Sequence, residues 1–80
     1  MNVYEQQGKF VVDFSPYKHR DIVENLSIMT QWCRATWGDT DHWTNPDYKW
    51  RRRVMTFYFS REAHRTLFLM QFAQQELKAA

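Results

Sequence analysis

Glycine, proline and cysteine are scarce in this chain, at two, two and one in 80 residues. So few chain breakers leave little room for irregular loop. The two glycines, Gly8 and Gly38, lie far apart, which excludes a glycine-rich phosphate loop. The single cysteine, Cys33, excludes an intramolecular disulfide. A small domain without disulfides points to a reducing compartment, so a cytoplasmic protein is expected. Long apolar runs are missing as well. The longest strictly apolar stretch is residues 67–70, far short of the ~20 residues of a membrane span. The opening MNVYEQQGK has no basic segment followed by an apolar one and does not read as a signal peptide. Paired acids, triad motifs and metal-protease motifs are also missing. No enzyme, catalytic residue or cofactor is expected. The net charge of +2 is too small to imply nucleic acid by itself.

Aromatic residues are abundant: four Trp, four Tyr and six Phe, 18% of the chain. Residues 1–80 make a single domain. A chain this short buries only roughly 60–65% of its unfolded surface, and each ring removes a large apolar area from water.

The chain is organised around RVMTFYFSREAHRTLFLM, residues 53–70. Val54, Thr56 and Tyr58 alternate with Met55, Phe57 and Phe59 at the two-residue period of a strand. Ser60 reads as a helix N-cap, with Glu62 in the first turn. The final helix is expected from about Arg61 to near Leu77. Ala63, Leu67, Met70 and Leu77 form one stripe; Phe68, Leu69 and Phe72 form another.

Upstream, residues 3–4 and 9–14 flank Gln7-Gly8, the pattern of a hairpin turn. The first half reads equally as a frayed terminus. Phe10, Val12 and Phe14 share one face; Lys9, Val11 and Asp13 share the other. Ser15-Pro16 signals a helix start, and Gly38 its end after Trp37. Ile22, Leu26, Met29, Cys33 and Trp37 fall on one stripe of that helix. Residues 41–44 read as a short strand and Asn45-Pro46-Asp47 as a turn. One strand is then expected over residues 49–59, with Trp50, Arg52, Val54, Thr56 and Tyr58 on an open face.

The order β-α-β-β-α is that of an α+β, truncated ferredoxin-like layer. The sheet is three-stranded and antiparallel, or four-stranded if the N-terminal residues add a strand. Two helices cover one face.

Two surfaces are candidates for function. About 100° per residue places Trp32 about 120°, and Ile28 about 160°, from Leu26 on the first helix; Phe72 lies about 140° from Leu67 on the last. Ile28, Trp32, Phe68, Leu69 and Phe72 are therefore expected to form a protein-binding surface, for a host protein or a second copy of the chain. The alternative is single-stranded nucleic acid on the open sheet face, with Trp50, Arg52 and Tyr58 as contacts and Arg51 and Arg53 steering. The glycines of the RNA-recognition signature are missing from MTFYFS. Asp39, Asp41 and His42 match no metal-loop spacing, so no metal site is expected. His19 and His64 read as solvated positions, and Cys33 as a buried structural thiol.

Gln31-Trp32-Cys33 followed by Gly38, an isolated Trp43, and the closing run Phe57, Phe59, Ala63, Leu67 and Phe68 together resemble a type of small tailed-phage accessory protein. The likeness spans roughly residues 22–72. It departs at Arg65-Thr66 and at the Arg51–Arg53 run. The resemblance implies a phage protein acting in the host cytoplasm, by binding a host protein, and supplies no catalytic residues.

Overall fold

The computed structural model describes residues 1–40 and 47–72. The expected strand over residues 41–44, the turn at Asn45-Pro46 and the helix beyond Phe72 lie outside these residues. The elements are β1 (Asn2–Gln6), β2 (Lys9–Asp13), α1 (His19–Trp37), β3 (Arg51–Arg53), β4 (Thr56–Phe59) and α2 (Glu62–Phe72). The architecture is α+β, with one antiparallel sheet in the order β1-β2-β4-β3. Both helices lie on one face.

The N-terminal residues do form a strand. Gln7 and Gly8 both take positive φ, 52° and 75°. That is the two-residue turn whose twist suits a hairpin. β2 and β4 lie side by side at the centre of the sheet, where Phe10 pairs with Phe59 and Val12 with Phe57.

Residues 49–59 are not one strand. The chain reverses at Val54-Met55, and Arg53 pairs with Thr56. Val54 sits at φ 56°, a left-handed conformation that is rare for a β-branched residue. Three bonds hold it there. Phe14 N–H donates to the Met55 carbonyl at 2.9 Å, and Arg52 Nε donates to the Val54 carbonyl at 2.8 Å. Arg52 Nη1 also donates to Thr30 Oγ1 on α1 at 2.9 Å, which ties the turn to the helix.

The turn changes every facing in β3. Arg51 pairs with Tyr58 and Arg52 with Phe57, so odd residues of β3 share a face with even residues of β4. A one-residue shift of register flips each side chain. Arg52 therefore faces α1, and Trp50, 1% exposed, is part of the core. Trp50 Nε1 donates to the Gly38 carbonyl at 2.8 Å, so the buried indole is satisfied.

α1 starts at His19, three residues after Pro16. Ser15 N–H is taken by Asp13 Oδ1, and Tyr17 N–H by the Phe14 carbonyl, so this segment turns before it coils. The predicted stripe Ile22, Leu26, Met29 and Cys33 is buried, and Gly38 closes the helix at φ 87°. Ser60 is not the cap of α2; its hydroxyl donates to the Tyr48 carbonyl and the helix begins at Glu62.

α2 is rotated from expectation. Phe68 and Phe72 are buried, while Leu67 and Met70 are exposed. Phe68 is the hub, with ring centres 5.0 Å from Phe57, 5.3 Å from Phe59 and 4.9 Å from Phe72. Trp32 packs edge-on against Trp37 and Phe72, at 5.3 and 5.4 Å.

Two outcomes test this packing. Trp32→Ala is expected to destabilise the fold by about 3 kcal/mol, since it empties a site between three aromatic rings. A denaturant midpoint equal to the parent's would refute the assignment. Val54→Gly is expected to stabilise it by about 1 kcal/mol, because relief of positive-φ strain exceeds the entropy cost of glycine. For a domain of this size, that raises Tm by roughly 4–8 °C. A lower Tm in calorimetry would contradict the strained turn.

Candidate functional site

The five residues expected to form a protein-binding surface do not form one. Phe68 and Phe72 are buried at 0% and 6% exposure, and Trp32 and Leu69 are partly buried against the core. Only Ile28, 56% exposed, lies on the surface. The 120° offset of Trp32 brings it to the flank of α1, where Phe68 and Phe72 meet it. The sequence reading centred α2 on Leu67; the true inner row is His64, Phe68 and Phe72, four residues apart.

The sheet face opposite the helices carries Tyr4, Gln6, Lys9, Val11, Asp13, Arg51, Arg53, Thr56 and Tyr58, as the pairing registers dictate. Of the residues expected to serve nucleic acid, the contact Tyr58 and the steering Arg51 and Arg53 lie there. Trp50 and Arg52 do not, because of the turn at Val54-Met55. Arg51 is 5% exposed, with its guanidinium 3.9 Å from the centre of the Tyr48 ring. It is therefore a packed cation rather than an outward one.

A cleft of about 170 Å³ opens on this face, lined by Gln6, Gln7, Lys9, Val11, Arg53 and Tyr58. Val11, 1% exposed, is its floor. Lys9 and Arg53 are exposed, and among the described residues neither forms an ion pair. No acidic residue lines the cleft. Of these residues, the sequence alone points only to Arg53 and Tyr58 as candidates. Its two-residue period puts Lys9 and Val11 on one face, and only the pairing of Val11 with Tyr58 joins that face to the ring.

The acid on this face is already engaged. Asp13 accepts hydrogen bonds from Ser15 N–H at 2.9 Å, Ser15 Oγ at 2.9 Å and Thr56 Oγ1 at 3.1 Å. Burial pushes its carboxyl up, but these bonds and the chain's N-terminal ammonium outweigh burial and hold it below the ordinary 3.8. Tyr4 is raised, first by desolvation and then by Asp13 and Tyr58. Tyr48 is raised by burial, with Arg51 opposing and Tyr58 adding. Both therefore present neutral hydroxyls at neutral pH.

Other candidate chemistry is not assembled. Burial pushes the Cys33 thiol up to about 12, which leaves it protonated and inert. Asp39 pairs with Arg34 at 2.9 Å. Asp41 and His42 lie outside the described residues, among which no three His, Cys, Asp or Glu side chains come together to hold a metal. Nor is any described helix long and apolar enough to cross a membrane.

Comparison of the chain with protein families, with curated proteins and with solved structures yields no match.

Asp13 makes the open face acid-sensitive. Its folded pKa lies below its unfolded value, so its contribution to stability is full above 3.8 and is lost as pH falls through the folded pKa. Asp13→Asn is expected to lower Tm at neutral pH, with the gap to the parent closing as pH drops below 3.8. A gap that stays constant with pH would show that the carboxylate charge is not what these bonds recognise.

Proposed function

We propose that this protein is a non-catalytic binding domain that holds single-stranded nucleic acid against the open face of its sheet. The observation that supports this reading is the cleft, where two cations without ion-pair partners among the described residues, Lys9 and Arg53, flank the half-buried ring of Tyr58. Cations hold phosphates, and an aromatic face stacks a base of any sequence. A strand laid across a sheet meets both at once.

A second reading keeps a protein partner, either a host factor or another copy of the chain. It is favoured by Leu67 and Met70, which are exposed one turn apart on α2. The resemblance to tailed-phage accessory proteins is compatible with either reading and implies a protein that acts in the host cytoplasm.

Fluorescence anisotropy with a labelled oligothymidylate separates the two. Two phosphate contacts predict a slope of about −1.4 in log affinity against log salt, falling by about 0.7 in Arg53→Gln. Tyr58→Ala is expected to cost about 1–3 kcal/mol of binding. Absence of binding at low salt would refute the strand-binding reading. A dimer in sedimentation that Met70→Glu dissociates would establish the second reading instead.

A further inference from the structure

We propose that the cleft is a subsite for one internal nucleotide of the strand, with its base on Tyr58 and its two flanking phosphates at Lys9 and Arg53. The inference rests on the strand-binding reading of the same face.

The register carries it. Arg53 pairs with Thr56, and Thr56 with Asp13. Lys9 and Asp13 are the two ends of β2. Four steps along the strand, about 13 Å, and two strand spacings across the sheet, about 10 Å, separate the backbones of Lys9 and Arg53, and the long side chains of both line the cleft between. The two cations thus enter the cleft from opposite ends of the face. Between them lies the row in which Val11 pairs with Tyr58. In a nucleic-acid strand each base hangs from a sugar that lies between two phosphates, so a ring beside an apolar floor and flanked by two cations can take the base while Lys9 and Arg53 take the phosphates. The volume of about 170 Å³ is smaller than the roughly 300–1,000 Å³ of pockets for drug-sized ligands, and suits a single planar ring.

The remaining lining groups are the amides of Gln6 and Gln7. Each offers both a donor and an acceptor, as a base edge requires. The β1–β2 turn fixes Gln7 in its left-handed conformation and so sets where its side chain starts. An acidic peptide would satisfy the cations but would leave the ring without a role.

Competition against the labelled oligonucleotide tests the subsite. The competitors are a nucleoside 3′,5′-bisphosphate, the 5′-monophosphate, the free nucleoside, inorganic phosphate and an oligoglutamate. The bisphosphate is expected to compete about fivefold to tenfold better than the monophosphate, the increment of one charge-assisted contact at an exposed site. Lys9→Gln and Arg53→Gln should each reduce the bisphosphate to the monophosphate level. Tyr58→Leu should weaken every nucleotide about tenfold and leave inorganic phosphate unchanged. Tyr58→Phe, which retains the ring, should bind as the parent does. Circular dichroism confirms that each variant folds.

Normal oligonucleotide binding with no advantage of bisphosphate over monophosphate would overturn the subsite and leave the strand-binding reading standing. Oligoglutamate competing as well as the bisphosphate would overturn it in favour of an acidic peptide. Absence of oligonucleotide binding would overturn the strand-binding reading and the subsite with it.

Discussion

The two-residue turn at Val54-Met55 determines which side chains reach the two faces of the sheet. Its length makes the pairing of β3 with β4 an odd sum, so the consecutive arginines are divided in a fixed way. Arg51 and Arg53 go with Tyr58, while Arg52 goes with Phe57. A turn one residue longer would send Arg52 to the open face and Arg53 toward the helices. The turn is costly, since a valine at φ 56° is strained. It persists because β2, Arg52 and, through Thr30, α1 all hold it. Arg52 is thus part of the scaffold, and the neighbouring Arg53 is left for the surface.

The same turn lets Trp50 fold inward beneath the end of α1. Its indole bonds the Gly38 carbonyl and ties the strand side of the core to the helix terminus. Around it, the aromatic residues form one connected set. Phe68 touches Phe57, Phe59, Phe72 and Trp32, and Trp32 touches Trp37. These are tilted and edge-on contacts, in which each ring meets its neighbours without stacking face to face. A chain of 80 residues has little apolar area to spare, and two helices with large rings on their flanks fill the space between them. That is why Trp32 and Phe72 are spent on the interior.

With the helix face occupied, the chemistry left for a ligand is on the other side. Asp13 is committed to Ser15 and Thr56, and Arg51 is packed on Tyr48. Lys9, Arg53 and the ring of Tyr58 remain around the cleft. Arg65 reaches the Tyr4 carbonyl at 3.0 Å from α2, with its guanidinium 5.1 Å from the Phe10 ring. It thereby covers part of the backbone of edge strand β1, where strand-to-strand association would otherwise begin.

The sequence by itself determined what local patterns determine. The Gln7-Gly8 turn, the stripe from Ile22 to Cys33, the end of α1 at Gly38 and the inward row of Val12, Phe14, Phe57 and Phe59 follow from period and turn chemistry, and from them the α+β layer. The hairpin at Val54-Met55 was not legible, because it contains no glycine or asparagine and its positive φ is imposed from outside by Phe14 and Arg52. The rotation of α2 was not legible either. Leu67 and Phe68 are both apolar, and only the rings of Phe57, Phe59 and Trp32 across the interface decide between them. The cleft joins residues from β1, β2, β3 and β4 that are distant in sequence, so only the register of the folded sheet could bring Lys9 and Arg53 to the two ends of one site.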